Sequence, residues 1–330
     1  PVFFVLYFGV DKNAAGKYSQ EKKQKEGLMR HKKGNDVHGW LVVDKPAGMG
    51  STDVVNLTRR LFNAKKNGHT GTLDPFATGV LPIAFGEATK LIPQVMDREK
   101  EYEFVVCWGK KTDSGDTEGK VIAVCDKIPS REEILQAVPT FIGEITQVPP
   151  SYSAIKINGR RAYDLARKGE EVRIPERIVT IYDLEFLEEL PVGRARFRVR
   201  CSKGTYVRTL GMDLAEKLGT LGYLEELRRT KCGFFSIKDT ILLESLKKVV
   251  HSEDLEKFLL PLLTSLRDIA VIALSEADAG KLRLGQSVSP RSYDVSHLCG
   301  KEAAAVYNGE LTAIVRIDER KIAPGRVFNY

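Results

Sequence analysis

Hydrophobic and polar residues repeat with different periods along the N-terminal third of the chain, and these periods predict both strands and helices. The apolar segment GWLVVDK at 39–45 predicts a short strand that ends in a Pro-Gly turn. Ser51 or Thr52 then offers a cap for a helix whose apolar residues follow a period of about 3.6. A polar loop, GHTGTLDPFATG, follows, and the apolar run 80–85 predicts the next strand. EATKLIPQVM at 87–96 predicts a second short helix.

The middle of the chain contains further alternating segments. Residues 102–108 and 121–124 flank the polar turn KTDSGDTEG in the manner of a β-hairpin. Residues 131–141 predict a helix, and strands are predicted near 177–187 and 194–201. In the last segment apolar residues alternate with arginines, so one face of that strand is expected to be buried and the other basic.

The spacing of these elements decides the fold class. A helix with four apolar residues on one side follows the turn SKGTY at 202–206, and no regular βαβ repeat is present. We therefore predict an α+β fold with a mixed or antiparallel central sheet and flanking helices. The main domain is expected to span 38–255, and 256–330 to form a small β-rich module. In that module Asn308-Gly309 lies between alternating runs, which predicts a type I′ hairpin.

Composition places the chain among globular proteins, with 330 residues of which 42% are hydrophobic and 29% charged. The formal net charge is +7, but residues 1–37 contain eight Lys or Arg against four Asp or Glu, which leaves +3 for the rest. Charge therefore supports a nucleic-acid partner only weakly, and any basic surface must come from local clustering. We expect residues 1–37 to be a flexible basic tail, and we hypothesise that Met29 is the natural start.

The cysteines and the apolar segments bear on the compartment. The five cysteines are widely spaced and form no C-x-x-C pair. This spacing argues against a disulfide framework and a zinc site, and it fits a reducing cytoplasm. No apolar run approaches the roughly 20 residues of a membrane span. The opening segment PVFFVLYFGV lacks a preceding basic region, so it is a poor signal peptide. We expect a cytoplasmic protein.

The loop GHTGTLDPFATG holds a single carboxylate, Asp74, among several glycines. Pro75 biases Asp74 toward extended backbone, and the glycines allow the chain to approach a ligand closely. One interpretation is an ordinary turn in which Asp74 caps neighbouring N–H groups. The other is a ligand-binding loop. The loop matches neither the dinucleotide-binding nor the phosphate-loop pattern, so a nucleotide phosphate is not the expected ligand.

Six sequence blocks decide between these interpretations, because together they resemble the TruB family of pseudouridine synthases. The blocks occur in the family's order and cover residues 38 to about 240, while the C-terminal module resembles the family's RNA-binding extension more loosely. They are LVVDKPAGM (41–49), GHTGTLDPFATGVLP (68–82), GEATKL (86–91), KEYEF (100–104), VPPSYSAIKINGRRAYDLARKG (148–169) and CSKGTYVRTLGMDLAEKLG (201–219).

The resemblance implies a reaction: the N1–C1′ bond of a uridine is broken, the base rotates, and the sugar is rejoined through C5. Asp74 matches the family's essential aspartate. An Asp with an ordinary pKa near ~3.9 is ionised at neutral pH. Whether it attacks C1′, attacks C6 or abstracts a sugar proton stays open. The resemblance implies no metal and no organic cofactor, and the sequence contains no dinucleotide fingerprint or clustered Cys/His set.

Five further residues match the family's active site. Arg208 matches the arginine that pairs with the catalytic carboxylate, where it would orient that group and keep its pKa low. Tyr102 matches the tyrosine that stacks on the flipped uracil. Tyr206 and Leu227 match residues that line the same pocket, and His69 matches a histidine that takes the place of the flipped base. Without the resemblance, each would pass as an ordinary core, surface or loop residue.

Other charged residues are candidates for contacts with RNA phosphates or are set aside. The candidates are Lys65, Lys66, Arg160, Arg161, Arg228, Arg229 and the arginine face at 196–200. The alternative for each is a solvated surface residue. Asp113, Asp116 and Glu118 suggest a cation loop, but their spacing fails the EF-hand pattern and a solvated hairpin turn is expected. Lys45 and Pro46 are expected to pack and order the site.

The resemblance thus implies a pseudouridine synthase catalytic domain at 38–255 and an RNA-binding module at 256–330. The expected substrate is uridine 55 in the T loop of tRNA, and the protein is expected to bind the T loop and stem. Two alternatives remain: a guide-RNA-dependent relative, and a non-catalytic tRNA-binding or folding module. We expect a monomer with no obligate protein partner and no membrane association.

Overall fold

The structure is a computed structural model that describes residues 34–150, 174–249 and 255–330, together with the backbone of two short strands at 156–157 and 160–161. The described strands, in chain order, are β1 (Gly39–Lys45), β2 (Asn67–His69), β3 (Thr78–Phe85), β4 (Lys100–Trp108), β5 (Lys110–Thr112), β6 (Val121–Val124), β7 (Gly143–Gln147), β8 (Lys156–Ile157), β9 (Arg160–Arg161), β10 (Arg177–Leu190), β11 (Arg194–Cys201), β12 (Gly222–Cys232), β13 (Phe235–Ser236), β14 (Ile241–Leu242), β15 (Ala270–Ala273), β16 (Glu302–Tyr307), β17 (Glu310–Ile317) and β18 (Ile322–Val327). The described α-helices are α1 (Ser51–Leu61), α2 (Ile92–Met96), α3 (Arg131–Ala137), α4 (Val207–Lys217), α5 (Leu243–Val249) and α6 (Glu276–Arg283).

A ten-stranded sheet forms the centre of the molecule. Its order is β14-β1-β3-β12-β4-β11-β10-β7, with β13 paired to β12 and β2 paired to β3. β1 pairs with β14 and β3 with β12 in parallel, whereas the other pairs in this sheet are antiparallel. The predicted α+β fold with a mixed central sheet is therefore confirmed. β12, which no pattern in the sequence predicted as a strand, lies between β3 and β4 near the middle.

Both faces of the sheet are buried around β1, which explains why this strand is apolar throughout. Leu41 and Val43 pack in the cluster that α1 and α4 cover. Trp40 and Val42 point to the opposite face and pack with the C-terminal part of the chain. A strand covered on both sides carries continuous apolar residues rather than an alternating pattern.

The C-terminal residues form a second sheet of four strands in the order β15-β16-β17-β18. The hairpin between β16 and β17 turns at Asn308 (φ 50°) and Gly309 (φ 82°), which confirms the predicted type I′ turn because that turn needs positive φ at both positions. Ile314 and Phe328 of this part share a buried cluster with Trp40. The four-stranded sheet is thus packed directly on the back of the central sheet.

Two local predictions were wrong. The segment 121–124 pairs with β5 rather than with β4, because β4 is already flanked by β11 and β12. α1 is capped by Gly50, whose N–H is bonded to Asp53, and neither Ser51 nor Thr52 caps it. Ser51 instead holds the glycine-rich loop.

Several predictions lie outside the described residues: Met29 and the basic tail up to residue 33, and the helix expected near 162–168. β8 and β9 pair in the backbone, but the side chains of Arg160 and Arg161 are not described. In the described part of the chain, no helix has the length and apolarity needed to span a membrane.

Candidate active site

The loop that carries Asp74 is held on both sides of this residue. Ser51, at the start of α1, accepts a hydrogen bond from the N–H of Leu73 (2.8 Å) and donates one to the Leu73 carbonyl (2.9 Å). Lys45, at the end of β1, donates to the carbonyl of Pro75 (3.1 Å). Because the residues before and after it are fixed, the backbone of Asp74 is fixed as well.

Lys45 is a buried cation that joins two loops. Its ammonium donates to the carbonyls of Pro46 (2.8 Å), Met49 (2.6 Å) and Pro75 (3.1 Å), and the residue is 0% exposed. Burial lowers the pKa of Lys45 to about 8, and the Asp74 charge opposes this shift. This position agrees with the expectation that Lys45 orders the site.

Arg208 connects Asp74 to a second carboxylate. The guanidinium Nε lies 2.9 Å from Asp74 Oδ2, and Nη1 lies 3.2 Å from Asp116 Oδ2 and donates to the Ser114 carbonyl (2.8 Å). Arg208 and Asp116 are both buried. The expectation that Asp116 belongs to a solvated hairpin turn was therefore wrong. Its partner is 92 residues away in the sequence, and nothing in the local pattern indicates that contact.

The electrostatic surroundings of Asp74 differ from the sequence-based expectation. Burial raises the pKa of the Asp74 carboxyl above its ordinary value, and the charge of Asp116 raises it further. Arg208 and Lys45 lower it, but they do not reverse the direction. Arg208 therefore limits the rise in the pKa of Asp74 rather than keeping that pKa low. The carboxylate stays accessible, with 32% of its side chain exposed.

Asp74 opens into a pocket of about 660 Å³. Tyr102, Tyr206, Leu227 and Arg208 line the same pocket, whereas His69, which was assigned to the same site, is not among its lining residues. Burial raises the pKa of Tyr102 to about 12, so its side chain stays a neutral phenol at physiological pH. The pocket thus places the Asp74–Arg208 pair beside two tyrosines and a leucine, and further charged residues also line it.

Comparisons with known proteins assign this arrangement to a family. Models described as "TruB family pseudouridylate synthase (N terminal domain)" and "tRNA pseudouridylate synthase B C-terminal domain" match residues 59–207 and 208–267. A protein of Bradyrhizobium diazoefficiens named tRNA pseudouridine synthase B is 46% identical over 312 residues, which cover 93% of this chain and 90% of that protein. The chain belongs to the TruB family of pseudouridine synthases.

Further relatives agree with this assignment. A tRNA pseudouridine synthase B of Rhodopseudomonas palustris is 47% identical over 299 residues, which cover 89% of this chain and 81% of that protein. A solved structure described as a Cbf5-Nop10-Gar1 complex matches with a TM-score of 0.67 at 25% identity, covering 88% of this chain and 85% of that chain. The TruB-family fold is therefore present over most of the length.

His69 and Arg229 both bond to the backbone of Gly71, in the loop that carries Asp74. His69, on β2, accepts a hydrogen bond at Nδ1 from the N–H of Gly71 (3.2 Å). Arg229 is 1% exposed, and its guanidinium donates to the carbonyls of Val80 (2.7 Å) and Gly71 (3.1 Å). This burial contradicts the prediction that Arg229 contacts phosphate at the surface. Arg229 instead ties β12 to the loop that carries Asp74.

The close contact between β12 and β3 explains one glycine of the loop. Gly79 pairs with Arg229 and has a φ of +101°, and a Cβ at this position would lie 2.2 Å from the Arg229 carbonyl oxygen. Only glycine combines that φ with that approach.

Two of the cations proposed for RNA contact, Lys65 and Arg228, already have acidic partners. Lys65 pairs with Asp36 at 2.6 Å, and Arg228 makes two hydrogen bonds to Asp44 (3.0 and 2.7 Å). Lys66, next to Lys65 on the chain, is exposed. Exposed pairs contribute little to stability, so Lys65 can exchange its partner for a phosphate at small cost. The bidentate bond to Asp44 makes the same exchange harder for Arg228.

The arginine face of β11 is neutralised by glutamates. Each of its three arginines pairs with at least one glutamate of a neighbouring strand or loop, at 2.9 to 3.3 Å. The pairs are Arg196 with Glu188 and Glu226, Arg198 with Glu103 and Glu185, and Arg200 with Glu99. The prediction of a basic face was therefore wrong, because the strand pairing that supplies the glutamates is not visible in the segment itself.

Within the described residues, no group of three or more His, Cys, Asp or Glu side chains is arranged to hold a metal ion.

Proposed function

We propose that this protein is a tRNA pseudouridine synthase that isomerises uridine 55 in the T loop. The observation that carries the proposal is the Asp74 carboxylate at the pocket, oriented by Arg208 at 2.9 Å. The relatives named tRNA pseudouridine synthase B, at 46% and 47% identity, supply the substrate class.

The geometry supports the following roles. The target uridine flips out of the RNA and enters the pocket, where Tyr102 and Leu227 offset the few kcal/mol of lost stacking. Asp74 acts as an anion on the nucleoside while N1–C1′ breaks and C5–C1′ forms. The proton lost from C5 is balanced by one gained at N1, so the reaction needs no oxidant. Because Tyr102 is a neutral phenol, it serves as a stacking surface and a hydrogen-bonding group rather than as a phenolate base.

The remaining assignments follow from the same proposal. His69, at the end of β2 just before the loop of Asp74, would fill the space that the flipped base leaves. Lys65 and Lys66 would contact phosphates of the T stem and loop, together with Arg160 and Arg161. The module at 256–330 would extend the RNA-binding surface of the catalytic domain. We propose that the enzyme acts in the cytoplasm as a monomer without a partner protein.

The guide-RNA-dependent alternative has weaker support. The Cbf5 chain, solved together with Nop10 and Gar1, is 25% identical to this protein. The relatives named as tRNA enzymes are nearly twice as similar. A stand-alone enzyme is therefore the better proposal.

Mapping of pseudouridine in an unmodified tRNA transcript tests the proposal. The purified protein should modify uridine 55 without any added RNA or protein. Asp74→Asn should reduce the rate by at least about 10³-fold while leaving tRNA affinity at fixed salt within a few-fold, because the carboxylate acts on the base rather than on phosphates. Asp183→Asn, which changes an exposed carboxyl on β10, is the matched control and should retain full activity.

Three other outcomes of this experiment would each support a different conclusion. Wild-type modification by Asp74→Asn would show that another group is catalytic. Inactivity of the wild type alone, with rescue by a guide ribonucleoprotein, would favour the guide-dependent alternative. Tight tRNA binding with no modification under either condition would favour a binding or folding module.

A further inference from the structure

Gln147 is a buried amide, 1% exposed, at the end of β7. Its Oε1 accepts a hydrogen bond from the N–H of Tyr206 (3.0 Å), and its Nε2 donates to the carbonyl of the same residue (3.2 Å). A single side chain therefore holds both backbone polar groups of Tyr206, from a residue that is 59 positions away.

This contact lies where α4 begins. Tyr206 is the N-cap residue of α4, and no side-chain hydrogen bond caps the helix there. Helix starts are commonly stabilised by a Ser, Thr, Asp or Asn at this position. Tyr206 cannot supply such a cap because its side chain is a phenol and lines the pocket. Gln147 supplies the missing anchor from another element.

Two neighbouring contacts fix the same turn. Thr209 Oγ1, in the first turn of α4, donates to the carbonyl of Val148 (3.4 Å). Arg177, the cross-strand partner of Gln147 on β10, places its guanidinium 5.4 Å from the centroid of the Tyr206 ring. The start of α4 is thus attached to β7 and β10 through the residues around Gln147.

The position of Arg208 depends on this attachment. Arg208 is the second residue of α4, and its guanidinium must reach both Asp74 and Asp116. A displacement of the helix start would move Arg208 and Tyr206 together, since both lie within two residues of the anchored peptide. Catalytic rates are sensitive to shifts of this kind, with about 100-fold losses for errors near 1 Å.

We propose that Gln147 is a positioning residue for pseudouridine formation: by holding the backbone of Tyr206, it sets the place of Arg208 against Asp74. The proposal rests on the proposed function. Gln147 acts through Tyr206 and Arg208, because its own amide is hydrogen-bonded to the backbone at the start of α4. It therefore affects the rate of the chemical step rather than the affinity for tRNA.

Single-turnover kinetics of Gln147→Met and Gln147→Glu test this role. The first variant keeps the volume and removes both hydrogen bonds. The second keeps the acceptor for Tyr206 N–H but places a carboxylate oxygen against the Tyr206 carbonyl. Both should reduce the single-turnover rate by about ten- to a hundred-fold, with the Kd for tRNA within about three-fold of wild type.

The matched control lies at the other end of the same helix. Thr220→Val removes the hydrogen bond that the buried Thr220 donates to the Lys127 carbonyl (2.6 Å) just beyond α4. It should lower the melting temperature to a similar extent as Gln147→Met and leave the single-turnover rate within two-fold. This control separates positioning from a general loss of stability.

The outcomes are distinct. If either folded Gln147 variant reacts at the wild-type rate, or if Thr220→Val loses as much rate, Gln147 is not a positioning residue. A rate loss that follows a matching loss of tRNA affinity would equally overturn the inference. An inactive wild type would instead reject the proposed function, so the two failures cannot be confused.

Discussion

Arg208 lies between the carboxylates of Asp74 and Asp116 and pairs with both. This shared pairing determines the role of each of the three side chains. Asp116 accepts from Ser114 Oγ (2.5 Å) and from the N–H of Glu118 (3.0 Å), so it is a fixed anion rather than a mobile one. It orients the guanidinium from the side opposite to Asp74. The arrangement gives Arg208 a definite geometry but also brings a second negative charge close to Asp74.

This arrangement predicts opposite pH effects for two substitutions. Under the proposed function Asp74 acts in its ionised form, so the single-turnover rate should fall as the pH drops through the pKa of Asp74. Arg208 lowers that pKa and Asp116 raises it. Arg208→Lys, which weakens the pairing, should shift the acidic limb of the pH–rate profile to higher pH. Asp116→Asn should shift it to lower pH, and both should reduce the plateau rate by about ten-fold or more. Shifts in the same direction would contradict the roles assigned here.

The individual site residues were predictable from the sequence to different extents. Asp74, Arg208, Tyr102 and Tyr206 were identified because they lie inside recognisable blocks, and Leu227 was identified from the family resemblance outside them. The structure places all five in one pocket. Asp116 was missed because a polar turn with three acidic residues resembles a solvated loop. Its burial depends on a tertiary contact with Arg208 that a local pattern does not encode.

At the scale of elements, the loops around Asp74 are fixed by side chains from the elements that precede them. Ser51 at the start of α1 and Lys45 at the end of β1 are both buried and both bond to loop carbonyls. The loop is therefore part of the packed structure. The Lys45 ammonium group that bonds these carbonyls carries its charge although it is buried away from water.

The pKa of Lys45 predicts a pH-dependent contribution to stability. The folded pKa of about 8 lies below the ordinary value of 10.5, so between these pH values the unfolded chain binds more protons. The free energy of unfolding contributed by this site therefore rises with pH, by up to about 3 kcal/mol between pH 8 and 10.5. Denaturant titrations from pH 7 to 10 should show that Lys45→Met loses this rise relative to wild type. Lys127→Met, which removes a half-exposed lysine, should keep it. Parallel curves for wild type and Lys45→Met would disprove the assignment.

The strands of the central sheet were predictable from the sequence to different extents. β1 and β3 were predicted because long apolar runs mark strands buried on both faces. β12 was missed because its pairing with β4 shifts register between Leu224 and Glu226 and again between Arg229 and Lys231. Such irregularities break the two-residue alternation on which strand prediction depends. The buried Arg229 adds a charge where an apolar residue is expected.

At the scale of the whole molecule, the two sheets share one buried cluster. Trp40 and Val42 of β1 contact it from the central sheet, and Val306, Ile314 and Phe328 contact it from the C-terminal sheet. The GEATKL turn adds polar contacts, since Lys90 donates to the carbonyl of Val327 (2.8 Å). The sequence predicted the hairpin of the C-terminal part, but not this packing, because the partners are more than 200 residues apart.

The shared cluster predicts that the two sheets unfold together. Phe328 is 1% exposed and lies in this cluster, and its ring also faces the Lys90 ammonium at 5.6 Å. Phe328→Ala should lower the free energy of unfolding by about 3–5 kcal/mol, through lost burial and the cavity left behind. Calorimetry should show one transition that moves to lower temperature as a whole. Tyr330→Ala, which truncates a ring that is 44% exposed two residues later, should cost less than about 1 kcal/mol. If a low-temperature transition instead separated from an unshifted main transition, the C-terminal sheet would fold on its own. Its contact with Trp40 would then contribute nothing to the stability of the pocket.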